Sequence, residues 1–526
     1  MRFGAAAIVG LIAFAAAWTV MLPGVAFWDT GELQTVGPLM GTAHPTGFPT
    51  YVLLGWLASV VLQPFGEPAF RMNILSALCL AVAAGFTVDL VRLLTRSLVT
   101  GVAAGIAMAL TPIAWAIGTH AEAHSLHLAL VAVLLWLLVQ WEDGVRSPAA
   151  SGGPKTADRY LLAASIVFGL AIGNHSLTLL LAIPVGLYVL AVDRDIWRRG
   201  RLVLACVVAL GLTVVLVYLE LPLRAGPFRA SLVYGTPNTW DGFRYIVLAE
   251  QFQGSLSDPF GELPRKFGEL VARAVAQFGI LAPFIPVAFA VTVARRPRYA
   301  LLTGTAVAIT CFFSASYVNA AIDRYYLVPA LMAWSWLAIL AAAVASGLAG
   351  LAAAPSTRAT PEGADDLAAS SPPATGPGRL VRTTALVTFI IAIALLAPTF
   401  VALPDRSKVV DTRLESDARG WAAHIAQVLA PDAVIVSWWS YSTPLWYIQR
   451  VTGQRPDVTI IDDRTRLDEH LGGLTDVIDA NLGKRPVYVI RADRNEVALL
   501  AARYDLQYID GTDARALTRV IGRKAS

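Results

Sequence analysis

Long apolar runs separated by short polar loops fill the chain up to about residue 402. About 20 apolar residues cross the hydrocarbon core of a bilayer, so these runs predict transmembrane helices. The run from Tyr51 to Leu62 is too short to cross, and we predict that it lies at the interface or re-enters partway. We predict about eleven spans, at residues 5–24, 72–91, 98–117, 125–141, 160–174, 176–192, 202–219, 273–294, 299–318, 325–349 and 382–402.

From about Leu403 the pattern becomes that of a soluble domain. Short apolar segments alternate there with helical patterns, which predicts a small parallel α/β sheet. The predicted strands are Asp432–Trp439, Asp457–Asp462, Arg485–Arg491 and Leu506–Asp510, and the predicted helices include Arg413–Leu429 and Leu467–Leu482. The predicted fold class is therefore an all-α polytopic membrane protein with a small C-terminal soluble α/β domain.

Domain boundaries follow from the same patterns. We predict a transmembrane core at residues 1–350, a flexible cytoplasmic linker at 351–381, the last span at 382–402 and the α/β domain at 403–526. The composition, 56% hydrophobic and 15% charged, agrees with a membrane protein. The net charge of +4 gives no indication of a nucleic-acid partner. The three cysteines lie in apolar runs, which indicates packing rather than disulfides or a metal cluster.

Basic residues determine the predicted orientation. They cluster in alternate loops, and the intervening short loops hold almost none. Because loops rich in Lys and Arg stay in the cytoplasm, we predict a cytoplasmic N-terminus and an extracytoplasmic α/β domain, in a plasma or inner membrane. The first apolar segment lacks a convincing cleavage site, so we interpret it as a retained helix rather than a signal peptide.

Several polar loops fall on the predicted outer side of the membrane. Charged groups at the end of a membrane helix are costly to place and are typical of functional sites. We therefore predict that these loops form one shared extracytoplasmic site. The loops contain Trp28–Leu33, His44–Tyr51, Thr119–His124, Gly173–Ser176 and Asn319–Tyr326.

Asp29 and Glu32 are the predicted catalytic pair. Asp-x-x-Glu before an apolar residue also fits a capping box, in which Asp29 would be the N-cap and Glu32 would reach back to it. The position after a membrane helix and opposite other polar loops favours catalysis for Asp29. Glu32 would orient Asp29, and a capping role for Glu32 stays open.

The remaining predicted site residues would bind substrate. The two arginines among them are the best outer cations for a phosphate, because a guanidinium fork matches phosphate oxygens; interfacial anchoring is the alternative. Turn or helix-cap roles are the alternatives for His44, Asn174 and His175. These substrate-binding predictions are His44, Glu122, Asn174, His175, Arg224 and Arg324.

Metal binding and aromatic stacking are two further hypotheses. A metal site at His120, Glu122 and His124 is less favoured than a hydrogen-bonding role for Glu122. We assign no metal ligands and no cofactor, and a divalent metal stays open as an alternative without support from the sequence. In the soluble domain, an aromatic cluster is predicted to dock the domain onto the membrane core, with stacking on a sugar ring as the alternative. The cluster comprises Trp438, Trp439, Tyr441, Trp446 and Tyr447.

Several of these blocks resemble a membrane family long filed as a domain of unknown function, which includes a eukaryotic transmembrane protein O-mannosyltransferase. The family pattern is D-[ST]-G-E followed by H-P-P-G-[YF]-P, which Asp29–Glu32 and His44–Pro49 resemble. This chain departs from the pattern at Thr46, where the family prefers Pro, and at His124, where an aromatic residue is common. The likeness covers roughly residues 15–250, and Ala121–Leu126, Gly173–His175 and Leu221–Ala225 look like later blocks.

The resemblance implies a glycosyltransferase of the GT-C fold, in which the first outer loop carries the catalytic Asp, here Asp29. Such an enzyme would move a sugar such as mannose from a polyprenyl-phosphate donor to a hydroxyl of a protein, lipid or cell-wall glycan. Asp29 would be the general base of an inverting displacement, and Arg224 or Arg324 would stabilise the leaving phosphate. A transporter or lipid flippase, or a non-catalytic assembly subunit, are the alternatives.

Overall fold

The computed structural model describes residues 2–146, 154–353, 377–415, 417–510 and 515–524. The predicted linker at 351–381 lies mostly outside the described residues. The helices of the N-terminal part are α1 Arg2–Trp18, α2 Trp28–Leu39, α3 Pro49–Val61, α4 Pro68–Thr95, α5 Leu98–Ala109, α6 Pro112–Ile117, α7 Ala123–Arg146, α8 Pro154–Asn174, α9 Ala182–Val192, α10 Gly200–Tyr218, α11 Glu220–Ala225, α12 Trp240–Val247, α13 Leu263–Phe278, α14 Ile285–Arg295, α15 Pro297–Ala315, α16 Leu327–Ala353 and α17 Pro377–Val401.

Helical membrane segments occur where the apolar runs predict them. Within the described residues, eight helical stretches are long and apolar enough to cross a membrane, and each coincides with a predicted span. The other three predicted spans correspond to shorter apolar helices, Gly4–Trp18, Leu98–Ala109 and Ser176–Val192. The predicted span 98–117 is divided because α5 ends at Ala109 and α6 begins at Pro112, whose ring cannot continue a helix. The short run after Tyr51 forms α3, which is too short to cross, as predicted.

Burial separates central helices from peripheral ones. The apolar windows of α4 and α7 are 72% and 78% buried, whereas those of the Gly200–Ala225 and Leu263–Arg295 stretches are 11% and 17% buried. The helices with little burial are as apolar as the central ones, so their exposed faces suit contact with lipid. The chain is a multi-pass membrane protein.

The C-terminal part folds around one five-stranded sheet. Strands β1 Val434–Ser437, β2 Thr459–Asp462, β3 Val487–Ile490, β4 Tyr504–Asp510 and β5 Leu517–Arg523 lie in the order β2-β1-β3-β5-β4. Apolar clusters cover both faces of the sheet. The helices are α18 Leu403–Val410, α19 Asp417–Val428, α20 Trp439–Trp446, α21 Asp463–Asp468, α22 Leu474–Asn481 and α23 Arg494–Ala501.

The prediction of a purely parallel sheet is wrong. β1 pairs in parallel with β2 and β3, but β5 runs antiparallel to both β3 and β4. The sequence analysis missed β5, which enters the sheet between β3 and β4 and reverses the direction of pairing. The four predicted strands are present with shorter or shifted ends, and the predicted helix Leu467–Leu482 is two helices, α21 and α22.

The soluble domain is packed against one end of the helical bundle. The backbone N–H of Thr412 donates to the carbonyl of Val20 at 3.1 Å, and that of Ala69 donates to the Tyr447 hydroxyl at 3.1 Å. Helix α2 lies between the two parts and contacts both α4 and α20. We call this end of the bundle the domain-bearing face.

Candidate active site

A cavity of about 650 Å³ lies at the domain-bearing face, between the bundle and the soluble domain. Its lining comes from all the polar loops that were predicted to form one shared site, from helix α6, from Ala249 and Phe252, and from two segments of the C-terminal domain. Of the predicted site residues, Asp29, His44, Glu122, His175 and Arg324 line it. The structure thus brings together side chains up to 295 positions apart in the chain.

Asp29, Arg324 and Glu122 form one ion-paired group in this cavity. One guanidinium nitrogen, Nη2, lies 2.5 Å from Oδ2 of Asp29, and the other, Nη1, lies 2.7 Å from Oε2 of Glu122. In the described part of the chain, Oδ1 of Asp29 accepts no hydrogen bond, and this side chain keeps 25% of its surface exposed. Asp29 therefore has one oxygen held by Arg324 and one left for another group.

Burial and charge act in opposite directions on both carboxylates. Burial favours the neutral acid, but the Arg324 guanidinium favours the anion, and the balance lowers the pKa of Asp29. The same two causes, with a further contribution from His124, hold the pKa of Glu122 well below its ordinary value. Both side chains are therefore ionised at neutral pH.

Local backbone geometry explains how Asp29 reaches the cavity. Helix α2 begins at Trp28, whose φ of +62° turns the chain sharply just before the Asp. The N-cap residue is Phe27 and makes no side-chain capping bond, so Asp29 lies inside the first turn. The capping-box alternative is therefore not what the structure shows. A Cβ on Gly31 would lie 2.1 Å from the carbonyl oxygen of Ala26 and 2.7 Å from Oγ1 of Thr443, so only glycine fits between the segment before α2 and helix α20.

Glu32 lies behind His44 and does not line the cavity. Its side chain is 1% exposed; Oε1 accepts from the His44 backbone N–H at 3.0 Å, and Oε2 contacts Nδ1 of the same residue. Glu32 therefore orients His44. The prediction that Glu32 orients Asp29 is wrong, because the two side chains do not meet in the cavity. Gly47, with φ of +83°, allows the turn that returns the chain to α3.

Histidines and an asparagine support the Glu122 side of the cavity. Oε1 of Glu122 lies 2.8 Å from Nδ1 of His124, whose ring packs on His175 with 4.6 Å between centroids. Burial is the main cause that lowers the pKa of His120, and it acts with neighbouring charges to hold that of His175 well below its usual value. Asn174 is fully buried, donates to the carbonyl of Ala123 at 3.0 Å and lies outside the cavity lining. Among the described residues, no group of three or more His, Cys, Asp or Glu is arranged to hold a metal ion.

The structure separates the two predicted phosphate-binding arginines. Arg324 lines the cavity, whereas Arg224 donates from Nε to the carbonyl of Met40 at 2.7 Å and from Nη2 to that of Leu39 at 3.0 Å. Arg224 thus satisfies the carbonyls at the C-terminal end of α2 and does not contribute to the cavity lining.

The soluble domain supplies a second side of the cavity. Of the residues on this side, the sequence analysis named the two tryptophans but neither Asp463 nor Arg464. Trp438 and Trp439 directly follow β1, and Asp463 and Arg464 directly follow β2. Trp439 contacts His44 edge to face, with 5.7 Å between ring centroids. Other members of the aromatic cluster dock the domain, since Tyr441 contacts Phe27 and Tyr447 accepts the Ala69 hydrogen bond. Arg464 and Asp463 were missed because no motif marks them.

Comparison with known proteins bears on the same N-terminal region. Residues 29–198 match the family model described as the protein O-mannosyl-transferase TMEM260 N-terminal domain. The resemblance predicted from the sequence is confirmed. The chain is 30% identical over 242 residues to protein O-mannosyl-transferase TMEM260 of Mus musculus, which covers 45% of this chain and 33% of that protein. It is 26% identical over 272 residues to protein O-mannosyl-transferase tmem260 of Dictyostelium discoideum, covering 49% and 32%. The chain thus spans about a third of the length of these curated relatives.

Solved structures extend the likeness to the whole fold. ArnT from Cupriavidus metallidurans, in a crystal structure bound to undecaprenyl phosphate, superposes with a TM-score of 0.58 at 15% identity, over 98% of this chain and 97% of that chain. The Archaeoglobus fulgidus oligosaccharyltransferase in its apo form gives 0.53 at 14% identity, over 93% and 69%. Both neighbours are GT-C glycosyltransferases. At these identities the likeness concerns the fold alone, and the fold is of the GT-C type, as predicted.

Proposed function

We propose that this protein is a glycosyltransferase that moves a hexose from a polyprenyl-phosphate donor to an acceptor hydroxyl, with Asp29 as general base. The observation that carries the proposal is Asp29 itself: an ionised carboxylate at a large cavity of a GT-C fold, with one oxygen held by Arg324 and the other unoccupied by any described donor. The names of the relatives point to mannose as the sugar and to a protein hydroxyl as the acceptor.

The proposed reaction is a single displacement with inversion. An acceptor hydroxyl oxygen attacks the anomeric carbon while its proton passes to Oδ1 of Asp29, and the bond from that carbon to the phosphate oxygen breaks. The polyprenyl phosphate leaves with the electron pair. Because the hydroxyl has a pKa far above 7, a positioned proton acceptor accelerates the step. The low pKa of Asp29 keeps it ionised over the physiological range, and Arg324 fixes its orientation.

Orientation is part of the proposal. We place the domain-bearing face outside the cytoplasm, because the basic loops lie at the opposite ends of the helices: Arg96 at the C-terminal end of α4, Arg199 before α10 and Arg296 before α15. A lipid-linked donor reaches a cavity at the membrane surface without leaving the bilayer. An acceptor would approach the same cavity from the aqueous side.

The test is sugar transfer by the full chain in sealed vesicles of known orientation. Radiolabelled polyprenyl-phosphate mannose serves as donor, and a Ser/Thr-rich polypeptide supplied on one side serves as acceptor. We expect Asp29→Asn to lower the rate about 10²–10⁴-fold, the usual loss for a general base. Asp405→Asn, at an exposed surface pair with Lys408, is the matched control and should transfer at the wild-type rate.

Three outcomes would contradict the proposal. An Asp29→Asn protein that transfers mannose like wild type would remove Asp29 from the chemistry. Transfer only to acceptor on the side of the basic loops would reverse the proposed orientation. Lipid movement across the bilayer without any transfer would instead support a flippase.

A further inference from the structure

Arg464 is a cavity cation that forms no ion pair with any residue the structure describes, although Glu32 and Asp29 act on it electrostatically from a longer distance. In the described part of the chain, no carboxylate oxygen lies within 4.0 Å of its guanidinium, and its one hydrogen bond runs from Nη1 to the Tyr234 hydroxyl at 3.3 Å. Arg324, the other arginine lining the cavity, binds two carboxylates at 2.5 and 2.7 Å. The remaining cavity carboxylates, Asp323 and Asp463, pair with arginines that do not line it.

Aromatic rings surround the Arg464 guanidinium instead of carboxylates. Its central carbon lies 4.1 Å from the ring centroid of Trp439, 5.8 Å from that of Phe252 and 6.0 Å from that of Tyr234. Such contacts favour a cation, but among the described residues the Tyr234 hydroxyl is the one hydrogen-bond acceptor of this guanidinium. A guanidinium has five N–H donors, and the described residues accept from one of them. Arg464 is therefore held in place with most of its hydrogen-bonding capacity unused.

A half-buried cation with unused donors is costly unless an anion binds it. Since the Asp29–Arg324–Glu122 group already contains more negative than positive charge, Arg324 has no free charge for a second anion. A phosphate matches a guanidinium edge through two parallel hydrogen bonds. Phe252 and Tyr317 lie in the same cavity lining and provide apolar surface there, and Phe252 lies beside this cation.

We propose that Arg464, held by Trp439, binds the phosphate of the isoprenyl-phosphate donor, so that the C-terminal domain supplies the anion-binding part of the site. The inference rests on the proposed function and assigns a residue to its donor. It also gives the soluble domain a role in substrate binding, in addition to its packing against the bundle.

Direct binding tests the inference without relying on transfer. The full chain in detergent micelles is titrated with farnesyl phosphate, farnesol and inorganic phosphate. We expect farnesyl phosphate to bind more tightly than either fragment. Arg464→Gln should weaken farnesyl phosphate about ten- to a hundredfold, the range for a lost hydrogen bond to a charged group, and leave farnesol unchanged. Arg464→Lys should recover part of the loss, because it keeps the charge but not the fork.

Arg466→Gln is the matched control. Arg466 lies on the same helix, α21, but donates to the Gly472 carbonyl and pairs with Asp463, and it does not line the cavity. The Arg466→Gln variant should bind farnesyl phosphate as tightly as the wild type. Asp29→Asn should also bind the lipid while failing in transfer, which separates the two proposals.

Three other results would each contradict a specific part of the proposal. Wild-type binding by Arg464→Gln, in a protein with a wild-type melting curve, refutes the role of Arg464 and leaves the proposed function standing. If only inorganic phosphate depends on Arg464, the lipid is not its ligand. If wild type binds no isoprenyl phosphate at all, the proposed donor is wrong and this inference fails with it.

Discussion

The membrane-core side of the cavity and its C-terminal-domain side carry different kinds of side chain. The core side presents charged groups that already have partners, with Arg324 between Asp29 and Glu122, and with Glu32 against His44. The domain side presents aromatic rings and Arg464, which has no carboxylate partner among the described residues. Paired charges suit groups that must hold a fixed geometry during a reaction, whereas a cation without an ion-pair partner suits the binding of an anion. The comparison therefore predicts that core variants lower kcat and that domain variants raise KM for the donor.

After Asp29→Asn, the largest effect is expected from Arg324→Gln. Without the guanidinium, Asp29 loses its only described hydrogen bond and its orientation, and misplacement of a catalytic group costs about 10²-fold in kcat. Burial, which raises the pKa of Asp29, would also act unopposed by Arg324. In a plot of kcat against pH, the fall in kcat on the acid side should therefore move to higher pH. Steady-state transfer between about pH 4 and 8 measures both changes.

Arg324→Lys controls for the loss of charge. It should keep the acid-side fall in kcat nearer to its wild-type pH but lower kcat itself, because a single ammonium cannot hold two carboxylates as a guanidinium does. If Arg324→Gln lowered kcat but left the pH of the acid-side fall unchanged, Arg324 would have a structural role only. If Arg324→Gln raised the KM for the donor and left kcat unchanged, Arg324 would bind the donor. The predicted difference between core variants, which lower kcat, and domain variants, which raise KM, would then be wrong.

A smaller effect is expected from Trp439→Leu on the domain side. The ring packs against Arg464 at 4.1 Å and against His44 at 5.7 Å, so it positions the cation relative to the core. A partly desolvated cation–π contact contributes roughly 1–2 kcal/mol, which corresponds to about a tenfold rise in donor KM. Trp439→Phe keeps an aromatic face and should restore most of the affinity. A fall in kcat with unchanged KM would place Trp439 in the chemistry instead.

Sequence reasoning found the core side of the site more completely than the domain side, for a physical reason. Asp29, Glu122 and Arg324 each lie at the end of an apolar run, so the membrane pattern itself brings them to one face. Arg464 lies in a domain without such a constraint. A signal was nevertheless present: Trp439 ends one predicted strand and Arg464 lies just after the end of another, and the carboxyl ends of neighbouring parallel strands meet at one edge of a sheet.

The errors have equally local causes. Arg224 resembled a phosphate ligand because guanidiniums suit phosphates, yet its partners are backbone carbonyls at the end of α2, which no side-chain pattern reveals. Strand β5 was missed although Leu517 and Val520 are buried in the sheet. Its antiparallel position is decided by pairing with β3 and β4, contacts that lie outside its own sequence.

The smallest effect concerns one of the hydrogen bonds between the membrane core and the C-terminal domain. Asp468, at the end of the helix that carries Arg464, accepts a hydrogen bond from the Gly235 backbone N–H at 3.1 Å. Burial raises the pKa of Asp468 to about 6. Between its ordinary pKa of 3.8 and this value, the folded state binds more protons than the unfolded state, so stability falls as pH rises through that window.

Asp468→Asn removes the loss of folding stability at higher pH, and its amide oxygen can still accept the hydrogen bond from the Gly235 backbone N–H. The folded protein should gain roughly 1 kcal/mol above pH 6, less than the full shift implies, because water partly screens the half-buried carboxylate. At pH 4 the gain should vanish, since Asp468 is then protonated in the folded state. Melting curves of the full chain at pH 4 and 7.5 measure the difference, with the exposed Asp505→Asn as control. If Asp468→Asn were less stable than wild type at both pH 4 and pH 7.5, Asp468 would accept the Gly235 hydrogen bond as a charged carboxylate. The bond between the C-terminal domain and the membrane core would then depend on that charge.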